Sequence, residues 1–263
     1  MEESIKAILK DLEKKHNITI LFAAETGSRN WGLNAADSDY DIHFVFYRPL
    51  KEYITLNKMS DIITVGYDKD LNERKKEGSF IEISGFDIYK YSKLLLNSNL
   101  SAIEWVNSRI MYIENNNIEL KTYINKNFNK MSVVRQYVAS ANSGYIGHIS
   151  GKEISYKKYL HTMRQALNVE YVIKYNKLPP NIMTQTLEVM KNDIPPEVYQ
   201  NIQELIRIKM QGCGYNKVKV IPALDRYYEH IVNKFKYFSC ETKKRDINFF
   251  NKFLQNLLIK NEK

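Results

Sequence analysis

Cysteine is scarce in this chain: Cys213 and Cys240 are its two, 27 positions apart and without Cys-x-x-Cys spacing. That argues against a disulfide framework or a thiolate metal centre and fits free thiols in a reducing cytosol. The five histidines (16, 43, 148, 161 and 230) are scattered, with no helical or finger spacing for zinc. No apolar run approaches the length of a membrane span. The first residues, MEESIKAILKDLEKKHN, set Ile5, Ile8, Leu9 and Leu12 at helical spacing. They read as an amphipathic helix, not a signal peptide. No internal repeat is visible. The expectation is a cytoplasmic protein with no membrane contact.

What is present is a folding composition, with 44% hydrophobic and 12% aromatic residues, in a chain of 263 residues that can bury a sizeable core. Charge is unevenly spread. Residues 1–130 carry 18 basic and 19 acidic side chains, whereas residues 131–263 carry 21 and 11. The first part holds the β-rich runs and the second reads as helix after helix. The expected fold is therefore α+β: a head with a mixed sheet flanked by helices over 1–113, then a basic helical region over 114–263. An acidic head and a basic tail suit a polyanionic acceptor, above all RNA. A lysine-rich surface serving only solubility is the plainer alternative.

Periodicity places a helix at 3–16, a strand at 18–24, a helical turn at 28–34, and strands at 40–47, 60–67 and 79–84. Helices are expected at 87–97, 100–107, 118–143, 154–176, 181–191, 195–211 and 222–260, the last interrupted. Pro179-Pro180 and Pro195-Pro196 mark boundaries, since proline disfavours helix in the residue before it.

The chemistry concentrates in GSRNWGLNAADSDYDIHFVF. Asp39 and Asp41 are separated by one residue at the head of an apolar, β-branched run. Alternation along a strand puts both on one face and Tyr40 on the other. At about 5 Å and an effective dielectric of about 20, two carboxylates repel by roughly 3 kcal/mol. A divalent cation between them removes that cost, and Mg²⁺ is the usual oxygen-loving choice. Gly27-Ser28 follows the apolar run ITILFAA, with Ser28 eleven positions before Asp39. A strand, a Gly-Ser turn and a strand bearing Asp-x-Asp is the layout of a nucleotidyl-transfer site. Gly27 lets backbone approach a triphosphate, Ser28 offers its hydroxyl and N–H, and Arg29 adds a forked donor. A third carboxylate is expected from Glu82 in FIEIS, where Phe80, Glu82 and Ser84 share a face. Asp87 is the runner-up and reads more readily as the N-cap of the following helix. Glu25 and Asp37 read as turn or surface residues, and His43 as a polar neighbour of Asp41, not a ligand.

The stretch ETGSRNWGLNAADSDYDIHFVFYRPLKEYITL resembles the signature of the DNA polymerase β–type nucleotidyltransferase superfamily. Within it, Gly27-Ser28-Arg29, Trp31-Gly32, Asp37 to Asp41, and Arg48-Pro49 with Tyr53 resemble the RNA-repair-pathway group. IEISGFDIYKYSKLLLNSNLSAIEWVNS and ISYKKYLHTMRQAL resemble two further blocks of that group, so the similarity runs from Ala23 to Pro180. Glu82 stands where an Asp is expected and Phe86 where a Trp is common. A longer carboxylate can still ligate Mg²⁺, with altered geometry.

In SYKKYLHTMRQAL, Lys157, His161 and Arg164 fall at i, i+4 and i+7 on one helix face, beside Lys158. Lys157, Lys158 and Arg164 are candidate nucleotide-binding residues, and the resemblance points the same way. A solvated basic stripe is the bland reading. Tyr137, Tyr145 and Tyr156 could stack a base, but read first as packing residues.

These features imply an enzyme that moves a nucleoside monophosphate from an NTP to an acceptor hydroxyl, releasing pyrophosphate. Two Mg²⁺ ions, with Mn²⁺ as a substitute, would sit on Asp39, Asp41 and Glu82. The acceptor expected first is a tRNA-like RNA 3′ end. AMPylation or UMPylation of a protein or small molecule is the second reading, and an inactive RNA-binding protein on the same fold the third.

Overall fold

The computed structural model describes residues 1–36, 38–57, 59–115, 117–144, 153–242 and 244–260; Asp37, Tyr145 and His148 lie outside them. In chain order the first elements are α1 (Glu2–His16), β1 (Thr19–Glu25), α2 (Gly27–Asn30), β2 (Tyr40–Tyr47), α3 (Leu50–Tyr53), β3 (Ile62–Tyr67) and β4 (Glu73–Arg74). There follow β5 (Ile81–Asp87), α4 (Ile88–Leu96), α5 (Leu100–Val106), β6 (Met111–Glu114) and α6 (Ile118–Asn127). The remainder comprises α7 (Lys130–Gly144), β7 (Glu153–Ser155), α8 (Tyr156–Tyr175), α9 (Met183–Val189), α10 (Pro196–Ile208), β8 (Lys217–Lys219), α11 (Pro222–Phe235) and α12 (Ile247–Lys260). A π-helical turn, Lys209–Cys213, follows α10. The architecture is α+β, with the large mixed sheet in the N-terminal part and mostly helices after it.

Contact density groups the chain into two units. One contains Met1–Gly27, Asp39–Asn127 and Lys244–Lys263; the other contains Ser28–Ser38 and Phe128–Lys243.

The first unit is built on a six-stranded sheet in the order β4-β3-β5-β2-β1-β6. Its strands pair antiparallel except for β2 and β5, which run parallel. Alternation sends Ile42, Phe44 and Phe46 of β2, with Ile81 and Ile83 of β5, to one face, where they meet Ile5, Leu9 and Leu12 of α1 in an apolar core. That helix has Glu2 and Glu3 in its first turn and Lys14, Lys15 and His16 in its last, complementing its dipole at both ends. Asn17 then stops it in a left-handed conformation. Toward the other face Trp105 of α5 packs on Phe86 and stacks on Tyr91 of α4. The closing helix α12 brings Phe249 and Phe250 onto Tyr123 of α6.

The second unit centres on α8, whose residues from Tyr159 to Val172 are mostly buried, packed by α7, α9, α10 and α11. A two-stranded ribbon of β7 and β8 lies at its N-terminal end. The 28–38 loop joins this unit through the Met183 N–H, which donates to the Trp31 carbonyl.

Several expected elements are subdivided. The helix expected over 118–143 breaks at 128–129, where the Asn129 side chain accepts the Ser132 N–H at 2.9 Å and caps a new helix. The helix expected over 154–176 begins at Tyr156, capped by Ser155, because 153–155 form a strand instead. The terminal helical stretch is interrupted, as expected: α11 ends at Phe235, and Asp246 accepts the Phe249 N–H to start α12 at Ile247.

Candidate active site

Register brings the second and third acidic residues together. In the parallel pair, Asp41 of β2 is the Cα partner of Glu82 of β5, and His43 is the partner of Ser84. Partners in a parallel ladder point the same way, so both carboxylates project from the face opposite the α1 core. Asp39 lies one residue before β2, whose pairing begins with the Tyr40 N–H donating to the Phe80 carbonyl at 2.9 Å. Asp39 and Asp41 are half-buried.

Asp41 is gripped on its backbone from several sides. Its N–H donates to Glu25 Oε1 at 2.9 Å, and its carbonyl accepts from the Thr26 N–H at 2.7 Å and the Thr26 hydroxyl at 3.0 Å. Glu25 is fully buried, not a surface residue as its sequence context suggests. Its second carboxylate oxygen accepts the Tyr112 hydroxyl, and its carbonyl accepts the Ser108 hydroxyl at 2.7 Å. A lone acid at a strand end gives no sequence cue to partners more than eighty residues away.

Gly27 follows immediately. It has φ +59°, and a Cβ there would stand 2.2 Å from Asp41 Oδ2. Only a residue lacking that atom allows the turn and the carboxylate to occupy this place.

Glu82 is held by its own neighbourhood. Its Oε1 accepts the Gly78 N–H at 3.2 Å, and Lys76 Nζ lies 4.0 Å from Oε2. Among the described residues, no three His, Cys, Asp or Glu side chains are set as a ready-made metal cluster. The donor set itself, carboxylate oxygens on one sheet face, fits a hard divalent cation. Two of its members reach that face by strand register alone.

His43 shares the face but is engaged elsewhere. Its ring stacks on Trp105 at 4.3 Å and its Nδ1 lies 2.8 Å from the Thr26 hydroxyl. Burial, with Lys76 adding to it, pushes its pKa down to about 3, so the ring is neutral at physiological pH.

Asp87 belongs to the other face, since it is in register with Phe46. Its carboxylate caps α4 by accepting the Tyr89 N–H at 2.9 Å. It also accepts the Tyr53 hydroxyl at 2.8 Å and lies 3.3 Å from the buried Arg48 guanidinium. Burial raises its pKa, against the pull of these donors. The capping role holds, and strand parity keeps Asp87 from joining Asp41. Arg48 and Asp87 thus form a buried polar brace, joined by the half-buried Tyr53 hydroxyl.

In the second unit, the Ser28 carbonyl accepts the Leu33 N–H at 2.9 Å, and the Arg29 guanidinium donates to the Ser38 carbonyl at 2.6 Å, closing the 28–38 loop. Arg164 is 2% exposed and its guanidinium lies 4.4 Å over the Trp31 ring, while His161 packs on the same ring at 5.5 Å. Two separate sequence blocks therefore meet in one contact. Lys157 and Lys158 are exposed on the first turn of α8, and Lys157 Nζ reaches the Tyr215 hydroxyl at 3.4 Å. The i, i+4, i+7 face is not uniform: it runs from solvent at Lys157 to a buried stack at Arg164. Tyr137 is buried, as a packing residue should be.

Among the described residues, no helix is long and apolar enough to cross a membrane.

Comparison with known proteins completes the picture. An uncharacterized protein of Bacillus subtilis (strain 168), YcgL, is 29% identical over 217 residues, covering 81% of this chain and 78% of the relative. A nucleotidyltransferase-like protein from Exiguobacterium sibiricum 255-15 aligns over 97% of this chain and 80% of its own, at 12% identity and a TM-score of 0.34. The profile of the RNA repair pathway DNA polymerase beta family, RlaP, matches residues 1–256. The chain belongs to that family.

Proposed function

We propose that this chain is a metal-dependent nucleotidyltransferase, moving a nucleoside monophosphate from an NTP to the 3′ hydroxyl of an RNA. The observation that carries the reading is the in-register pair Asp41–Glu82, beside a glycine whose missing Cβ makes room for the Asp41 carboxylate. Membership of an RNA repair family supports RNA as the acceptor.

Asp39, Asp41 and Glu82 would hold Mg²⁺. Bound there, Mg²⁺ supplies charge neutralisation for the attacking and leaving oxygens. Glu82 orients the acceptor hydroxyl and receives its proton as that oxygen bonds to the α-phosphorus and the bond to pyrophosphate breaks. Gly27, Ser28 and Arg29 bind the β and γ phosphates through backbone N–H groups, a hydroxyl and a guanidinium. Arg164 acts through Trp31, holding the loop that carries Ser28 and Arg29.

The test is incubation with each α-labelled NTP, Mg²⁺, and either total RNA or lysate. Label in RNA is the expected result. Label in protein instead would overturn the acceptor, and no label with any NTP would overturn the reaction.

A further inference from the structure

One basic, aromatic surface lies outside the residues given a role above. The β7–β8 ribbon pairs Glu153 with Lys219, Ile154 with Val218 and Ser155 with Lys217. Alternation turns Ile154 inward, where it is 3% exposed, and leaves Lys217 and Lys219 together on the outer side, both exposed. Glu153 is the ribbon's single carboxylate. Two residues before Lys217, Tyr215 is 70% exposed, an uncommon setting for so large a ring.

The ring is nonetheless held in place. The Lys157 ammonium sits 5.3 Å from its centroid and donates to its hydroxyl. The backbone beneath is tied to the first turn of α8, with the Lys157 N–H donating to the Gly214 carbonyl at 2.9 Å and the Tyr156 N–H to the Asn216 carbonyl at 3.1 Å. An aromatic face presented to solvent beside paired lysines on a fixed ribbon is what a nucleic-acid strand with unstacked bases needs: a platform for one base and cations for the flanking phosphates. A duplex offers the phosphates but keeps its bases stacked inside.

We infer that Tyr215, Lys217 and Lys219 form a contact surface for single-stranded RNA. The inference rests on the RNA-acceptor reading and assigns the strand a place to bind. Tyr215 stacks a base, and Lys217 and Lys219 neutralise phosphates.

The experiment is fluorescence anisotropy of a labelled single-stranded RNA titrated with the full chain at several salt concentrations, using wild type, Tyr215→Ala, Tyr215→Phe and Lys217→Gln/Lys219→Gln. Loss of one stacked base should weaken binding by about 5- to 150-fold in Tyr215→Ala, with Tyr215→Phe close to wild type. Removing two phosphate contacts should lower the salt slope by about 1.4. Equal binding by all four proteins, or tighter binding of a duplex with no Tyr215 dependence, would overturn the surface. The labelled-NTP assay separates this from the reaction. RNA labelled equally by all four proteins, with binding unchanged, removes the surface and leaves the reaction standing. Tyr215-dependent binding without label in any acceptor does the reverse.

Discussion

The Asp41 carboxylate occupies the space that a side chain at Gly27 would need: a Cβ there would lie 2.2 Å from Asp41 Oδ2. Gly27→Ala therefore has two costs. A left-handed φ disfavours any L-residue by about 1–2 kcal/mol, and the methyl pushes the carboxylate aside. A displacement near 1 Å in a reacting group is worth roughly 100-fold in rate. Nucleotide transfer by Gly27→Ala should fall by about that factor while circular dichroism still reports a folded chain. Wild-type turnover would mean that Asp41 does not need this position.

The buried brace makes a stability prediction. Arg48 is 5% exposed and lies 3.3 Å from Asp87, with Glu52 3.5 Å from its Nε. Arg48→Met leaves Asp87 buried and short of its cation, although the Tyr53 hydroxyl and Tyr89 N–H still serve it. The cost should be about 3 kcal/mol in denaturant unfolding. Adding Asp87→Asn should recover part of that loss, giving a double mutant more stable than the sum of the two single changes. Simple additivity would show that the pair is not coupled.

Asp68 gives a pH signature. It accepts the Asn72 and Asp70 N–H groups and pairs with Arg74 at 2.7 Å, which together lower its pKa to about 2. A carboxyl lowered on folding stabilises the native state above its unfolded pKa, near 4, and loses that contribution as pH falls toward 2. An NMR titration should find this carboxyl ionised well below pH 4. In Asp68→Asn, the part of the acid sensitivity between pH 4 and 2 that comes from this turn should vanish. A midpoint near 4 for Asp68 would contradict the geometry.

The acidic strand was readable because its signal is local. Asp39 and Asp41 head an alternating apolar run, and FIEIS puts Glu82 on a polar face by the same rule. Asp87 could be read as a cap because the helix it starts follows at once. Pairing is a different matter. Nothing local says that β2 and β5 lie side by side and parallel, so the meeting of Asp41 with Glu82 is a fact of topology. Glu25 looked like a surface residue because its partners, Ser108 and Tyr112, come from the other end of the head. The 28–38 loop leaves the sheet unit for the helical one through Trp31 contacts that sequence spacing does not encode. Strands as short as β6, β7 and β8 fall below the length at which alternation is visible.

The central claim is that Asp41 and Glu82, with Asp39, form one divalent-cation site. Titrating the full chain with Mn²⁺ and following the free aqua-ion by EPR tests it without relying on turnover. Wild type should take up Mn²⁺, and Asp41→Asn and Glu82→Gln should each weaken uptake at least tenfold while remaining folded. Equal uptake by all three proteins would contradict the account.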